Sequence, residues 1–300
     1  MFIAGATKTA ALVETGAAAR AAAYLELTKP RVAALVLAVA VAGFWLGSAG
    51  TPDAARLWGT IAGVALLAGG IFTLNQYYER DLDGLMRRTG GRPLPAGRLY
   101  PAEALWFGWA LCAAALACLA LAVNALSAAV GAATLASYLF LYTPLKKRTP
   151  HCTLIGAFPG AAPPLLGWAA ARGQLGPEAW ALFSILFFWQ FPHFHAIALL
   201  YREDYGRAGI RMWPVVEPEC RTLAREIVLF TGLLVPASLL PAWLGLAGPL
   251  YSVGAALLGV PFLVLGIRAA SVKTKLYAQR LLLASVLYLP ALLALMVWGR

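Results

Sequence analysis

The chain has 300 residues, of which 61% are hydrophobic and 12% charged, and it carries a formal net charge of +11. That composition excludes a water-soluble enzyme, and the apolar runs are too long and too even for the alternating strands of a membrane barrel. An all-α polytopic membrane protein remains, because a backbone in lipid must satisfy its own hydrogen bonds and a helix does so within one segment.

A helix of about 20 apolar residues crosses a bilayer core. In chain order, nine stretches qualify: 32–49, 57–79, 102–122, 125–143, 152–171, 178–201, 224–243, 247–267 and 279–298. Residues 1–31 precede them as an alanine-rich segment with a few charges and a weak pattern for a helix lying on the membrane. No cleavable signal stands before the first span, so that span is expected to stay. The connections are too short for a soluble domain, so residues 32–300 read as one transmembrane domain, a nine-helix bundle with a central cavity.

Charge sidedness fixes a topology. With the N-terminus in the cytoplasm and sides alternating, 21 of the 24 Lys and Arg residues fall inside, from Lys8 and Lys29 to Arg280, and only Arg56, Arg172 and Arg300 fall outside. This is the positive-inside pattern. The net charge therefore reports topology and calls for no nucleic acid. Without a transit peptide, the expected location is a bacterial cytoplasmic membrane. The cysteines (Cys112, Cys118, Cys152, Cys220) lack CxxC spacing and two lie inside a span, which argues against disulfides and a zinc site.

The second span ends in "NQYYERDLDGLMRRTGGRPLP", the most polar passage of the chain. Positions i, i+4 and i+8 drift by only about 40° per step, so Asn75, Glu79 and Asp83 share one face if the helix reaches residue 83. Asp81 points about 240° away from Asn75. Acids at a helix C-terminus oppose its dipole, so a cation is expected there, either the following arginines or a hard metal ion. Mg²⁺ takes such oxygens together with substrate phosphates. Spans two and six run in the same direction, and span six ends in "YREDYGRAGI". Glu203 and Asp204 therefore face the same side, a spacing consistent with a parallel repeat around a site. After span four, "LYTPLKKRT" puts Tyr142, Lys146, Lys147 and Arg148 on that side, where basic groups suit a diphosphate. Ordinary positive-inside charge would place them there as well.

Span six also holds Gln190, His193 and His195 around Pro192. Polar groups inside a membrane are functional candidates by default, and haem iron accepts histidine; interhelical hydrogen bonding is the plain alternative. Span five, with Gly156, Pro159, Gly160, Pro163, Pro164 and Gly167, fits either a cleft lining or close packing through small residues.

The strings "NQYYERDLDGLMRRTGGRPLPAGRL", "LYTPLKKRT", "IGAFPGAAPPLLGW" and "WQFPHFHAIALLYREDYGRAGIRMWPVV", with "LELTKPRV" before the first span, resemble the UbiA-type intramembrane prenyltransferases. The resemblance covers residues 24–298 and is strongest for the branch that farnesylates haem b. It implies transfer of a farnesyl group from farnesyl diphosphate to a vinyl group of haem b, with Mg²⁺ bound beside the diphosphate and haem b as substrate. It implies Asn75, Glu79, Asp83 and Asp204, with Glu203, as metal-site residues, and Lys146 with them in catalysis. Substrate contacts fall to Tyr78, Arg87, Arg88, Tyr142, Arg148, His193, Tyr201 and Arg202. Partners would be the lipid bilayer and haem A synthase or oxidase assembly. The chain departs from the family pattern in Glu79, where Asp is usual, and in the second acidic motif, where Leu200 stands four residues before Asp204. Glu203, His193 or Tyr201 would fill that gap.

An allylic carbocation in such a site must be shielded from water and stabilised by aromatic faces. Tyr77, Tyr78, Phe188, Trp189, Phe191 and Phe194 are the candidates, Tyr78 foremost. The competing readings are a UbiA-type enzyme for another aromatic acceptor, an oxidase assembly subunit, and a secondary transporter. A transporter fits poorly, since no Asp, Glu, Lys or Arg lies near the middle of a span.

Overall fold

The structure is a computed structural model that describes residues 16–299; Lys8 and Arg300, two of the charges counted above, lie outside the described residues. The described elements are all helical: α1 (Ala17–Leu27), α2 (Pro30–Gly47), α3 (Ala54–Asp83), α4 (Pro101–Ala122), α5 (Ala125–Leu145), α6 (Cys152–Arg172), α7 (Pro177–Leu200), α8 (Arg202–Arg207), α9 (Trp213–Val216), α10 (Arg221–Trp243), α11 (Pro249–Val272) and α12 (Lys275–Trp298). Nine of them, α2 to α7 and α10 to α12, are long and apolar enough to cross a membrane. The nine-span reading is therefore upheld, with ends shifted by a few residues.

The largest useful shift is in α3. Its apolar run stops near residue 79, but no Gly or Pro interrupts the backbone until Gly84, so the helix continues to Asp83. Its 30 residues make about 45 Å of helix against about 30 Å of hydrocarbon. The surplus carries the acids.

Two packed groups make up the bundle. In the first, α3 lies along α4 and α5 over Val64, Leu67, Ile71, Leu74, Leu119 and Leu135. In the second, α7, α10, α11 and α12 enclose Ile185, Leu223, Ile227, Leu234, Tyr251 and Leu292. Helix α6 joins them, packed on α2, α5 and α7. Its glycines explain how it fits. A Cβ on Gly167 would overlap the Ala40 carbonyl, and one on Gly43 would lie 2.5 Å from the Pro164 carbonyl oxygen. The small residues of span five thus bring backbones together.

Within α5, Ser137–Tyr142 form a π-helical turn, closed by the Thr143 amide donating to the Tyr138 carbonyl. Such turns insert one residue into an α-helix and occur often at functional sites. The turn sets the direction in which Tyr142 and Lys146 leave the helix.

The connections after α3, α5 and α7 meet at one end of the bundle. Leu82 and Met86 pack against Ala208, Ile210 and Met212, and the Arg211 amide donates to the Lys146 carbonyl at 3.0 Å. Helix α1 docks at the same end. Ala23 and Leu27 bury against Leu94, Leu99 and Ala104, while Arg20 pairs with Glu103 at 2.5 Å and Arg98 with Glu26 at 2.7 Å. The two acid-bearing connections, distant in sequence, thus form one surface.

Candidate active site

Because α3 stays helical to its last turn, Asn75, Glu79 and Asp83 all face inward and are 2%, 7% and 1% exposed. Asp81, between them in sequence, turns outward with 81% of its side chain exposed, 3.8 Å from Arg80. The predicted column is a buried polar face.

Each acid meets a cation brought from elsewhere in the chain. The Lys146 ammonium, delivered by the end of α5, donates to Glu79 Oε1 at 2.6 Å. Burial is the largest influence and lowers the Lys146 pKa, but the Glu79 carboxylate, Tyr142 and Tyr138 together outweigh it and hold the ammonium well above its ordinary value. Below it lies the Tyr142 ring, 4.6 Å from the nitrogen, braced edge-on by Tyr138 at 5.1 Å. Arg92 donates to Asp83 Oδ2 at 2.6 Å. The Thr89 hydroxyl donates to the Asp83 carbonyl at 3.0 Å, which folds the following loop back over the site.

Lys29 reaches the top of the column and donates to Asn75 Oδ1 at 3.1 Å. It does so from a left-handed backbone conformation, φ 48°, just ahead of Pro30. A non-glycine residue seldom adopts that region without local compensation. Burial and then the nearby Arg92 pull the Lys29 pKa down to about 7, against the opposite pull of Glu79 and Asp83. Lys29 and Arg92 also line a pocket of about 440 Å³ with Arg31 and Gln76.

Asp204 is the second buried acid, 8% exposed. It pairs with Arg207, and its Oδ2 accepts from the Arg88 amide at 3.4 Å. That contact ties the loop after α3 to the one after α7. The Arg88 guanidinium covers the Tyr201 ring at 4.9 Å. Arg87, Arg148 and Arg202 are exposed at this end.

Several predicted residues stand apart. Glu203 points outward, its side chain 76% exposed and 3.4 Å from Lys275, so it does not complete the Asp204 motif here. His193 is held against α12 by Ser285 and does not join Asp204 either. Of the gap-fillers, Tyr201 alone is tied to the site, through Arg88. His195 is 1% exposed, with Nε2 2.7 Å from Glu226, a buried interhelical contact. Gln190 likewise bridges helices through the Ala157 carbonyl at 3.1 Å. Among the aromatics, Phe191 is buried and stacked on Phe230 at 3.5 Å, with Phe188 beyond the same ring. Trp189 donates to the Ser285 carbonyl at 2.8 Å. These three pack α7 against its neighbours and are not free faces. Tyr78 is 43% exposed and Phe194 38%; Tyr77 lies under Arg80.

Sequence reasoning left out Lys29 and Arg92 as site residues. The signals were present: a lone lysine directly before the proline that opens α2, and an arginine nine positions after Asp83.

A divalent cation is compatible with this face. Asp83 Oδ1 is buried without a partner, as are Asn75 Nδ2 and Gln76 Oε1. A buried carboxylate oxygen left over after one ion pair is a free ligand for a hard ion. Among the described residues no three His, Cys, Asp or Glu side chains converge as a ready-made cage. Mg²⁺ does not require one, since it binds through one or two carboxylates plus phosphate oxygens and waters.

A family model described as the UbiA prenyltransferase family matches residues 36–286. The chain is 53% identical over 286 residues to a protoheme IX farnesyltransferase of Solibacter usitatus, covering 92% of this chain and 98% of the relative. It is 45% identical to one of Koribacter versatilis, covering 98% of each. A digeranylgeranylglyceryl phosphate synthase structure superposes with a TM-score of 0.79 over 93% of this chain and 98% of its own, at 17% identity. A UbiA homologue from Archaeoglobus fulgidus bound to DMAPP and Mg²⁺ superposes with a TM-score of 0.66 over 91% and 98%, at 20% identity. At these identities the two superpositions speak for the fold.

Proposed function

The chain belongs to the UbiA prenyltransferase family, and from that premise we propose that it farnesylates protohaem IX: a farnesyl group passes from farnesyl diphosphate to a vinyl group of haem b, giving haem O and diphosphate. The extent of the likeness to protoheme IX farnesyltransferases supports this acceptor. The observation that carries the chemistry is the buried Asn75/Glu79/Asp83 face with a carboxylate oxygen to spare.

The hard step is ionisation of an allylic C–O bond. Asn75, Glu79 and Asp83 on one side and Asp204 on the other would hold Mg²⁺ with the diphosphate, and the ion would supply positive charge to the leaving group. The chain's own residues do the rest. Lys146 stays protonated because Glu79 holds it, so a fixed positive charge stands where the leaving group gains negative charge; such preorganised groups need no reorganisation during reaction. Arg87, Arg88 and Arg148 form a basic rim that draws in the anionic head. Tyr142, braced by Tyr138, keeps Lys146 in place. Tyr78 offers an aromatic face next to the column, where attraction to a cation reaches about 2 kcal/mol when water is excluded.

The acceptor step balances simply. The vinyl terminal carbon bonds to the farnesyl C1, water adds its oxygen to the other vinyl carbon, and one proton leaves. The site opens to the cytoplasm, a reading supported by the 21 basic residues assigned to that side and by the clustering of both acidic connections at one end.

The test is product mass. Purified protein incubated with haem b, farnesyl diphosphate and Mg²⁺ should release diphosphate and yield a haem enlarged by one farnesyl and one hydroxyl group. Diphosphate release with haem b unchanged, and prenylation of another aromatic acceptor instead, would overturn the acceptor assignment.

A further inference from the structure

We propose that His193 supplies the axial ligand to the iron of haem b, through Nε2, when haem b is bound as acceptor. The proposal rests on the reading of haem b as acceptor given above, and goes beyond it by naming the group that holds the ring.

The chain has three histidines. His195 has Nε2 committed to Glu226 and only 2% of its side chain exposed. His151 lies in the connection before α6, exposed, edge-on to Trp213 at 5.1 Å. His193 sits inside α7, seven residues before its end at Leu200, about 10 Å into the bundle at the helical rise.

Ser285 Oγ lies 2.6 Å from the Leu282 carbonyl and 2.8 Å from His193 Nδ1. With the single hydroxyl proton given to the carbonyl, the histidine contact is a donation from Nδ1–H to the serine, and in that tautomer Nε2 carries a bare lone pair. Among the described residues no donor reaches Nε2, and it is not one of the buried unpartnered atoms, so it stays accessible.

The ring is also locked. Trp189 stacks on it at 4.7 Å and 21°, and Trp189 is itself fixed by donating to the Ser285 carbonyl. Phe194 meets it edge-on at 5.4 Å.

A neutral imidazole whose second nitrogen donates to a fixed acceptor is the usual arrangement of a metal-ligating histidine, oriented and made more basic by that bond. A bare lone pair cannot donate to a phosphate oxygen, which argues against the diphosphate as its partner. Mg²⁺ prefers oxygen, whereas iron accepts imidazole. Ligation would set the porphyrin plane relative to α7, so that rotation about one Fe–N axis decides which vinyl group meets the farnesyl donor.

The full-length protein in nanodiscs is titrated with haem b alone and followed by absorption and EPR in the ferric state and as the ferrous–CO complex. The wild type should give a histidine-ligated spectrum. His193→Ala should lose it and bind haem about tenfold more weakly. Imidazole added to His193→Gly should restore it, and His151→Ala should leave it unchanged. Ser285→Ala keeps the ring but removes its acceptor, so the reduction potential of bound haem should rise as the ligand becomes less basic. A wild-type complex without histidine ligation would overturn the proposal, as would spectra unchanged in His193→Ala and His193→Gly. Product formation from haem b by the wild type in a parallel assay tests the acceptor reading separately. If product forms while the spectra refuse histidine ligation, the ligand assignment alone is wrong; if the wild type neither binds haem b nor makes product, both readings fall.

Discussion

The family resemblance implies Asp where this chain has Glu79, and the structure shows what the longer side chain reaches. Its Oε1 lies 2.6 Å from Lys146 Nζ, with side-chain exposures of 9% and 13% for the two partners. Glu79→Asp withdraws the carboxylate by about one carbon–carbon bond, roughly 1.5 Å, which opens the pair to about 4 Å. With an effective dielectric constant of about 20, the attraction falls from about 6 to about 4 kcal/mol. A loss of about 2 kcal/mol, felt wholly in the transition state, is about 30-fold in rate. Glu79→Gln is the harsher change, because it keeps the length and removes the charge. Lys146 is then buried beside a neutral amide, which costs about 3–5 kcal/mol of stability where a buried pair loses one member. Turnover should fall by about 10²–10³, as for other losses of preorganised charge. The assay is diphosphate release from farnesyl diphosphate with haem b in nanodiscs, across a Mg²⁺ titration, with folding checked by thermal unfolding. A Glu79→Gln protein as active as wild type at limiting Mg²⁺ would refute the reasoning, and so would Glu79→Asp being the more damaged of the two.

The same logic separates two neighbouring acids. Asp83→Asn should lower turnover by about 10²–10³, while Asp81→Asn, altering an exposed side chain, should stay within about twofold; the reverse order in the same assay would remove Asp83 from the site. Cysteines at Gly90 and Gly206 should react with a membrane-impermeant thiol reagent only from the cytoplasmic side, and labelling of intact cells would overturn the topology. A Cβ at Gly206 has nothing within 4 Å, so that substitution should be structurally silent. Gly167→Val forces α6 off the Ala40 carbonyl and should cost about 1–3 kcal/mol by overpacking. It is read as a lower unfolding temperature in detergent, and an unchanged temperature would mean that the contact between α2 and α6 is loose.

The spans and the acid face were legible in the sequence because both are local. An apolar run declares a crossing helix, and residues spaced by four declare a face wherever nothing breaks the helix, as nothing does before Gly84. The cations opposite that face were not legible. Lys146 comes from 67 residues away and Lys29 from 46, the latter through a left-handed turn that no periodicity announces. The outward swing of Glu203 was hidden for a similar reason. Its neighbour Asp204 is held by Arg207 within α8 and by the Arg88 amide, the second a contact between segments far apart in sequence rather than a property of either. Tyr78 was the foremost aromatic candidate because it lies next to the acid face, whereas nothing local in the sequence showed that Phe191 is taken up by packing against Phe230.

The π-helical turn in α5 has a consequence for how such a site changes over evolutionary time. A turn closed i→i+5 holds one residue more than one closed i→i+4, so removing a residue from Ser137–Tyr142 would leave a plain α-helix whose two ends keep their mutual orientation, with Lys146 still directed at Glu79. The same deletion elsewhere in α5 would turn everything beyond it by about 100° and carry the ammonium out of the site without any change to lysine or glutamate. Point substitution can adjust the acids on α3 one at a time; the wide turn marks the one place in α5 where the chain can lose a residue and leave their basic counterpart in register.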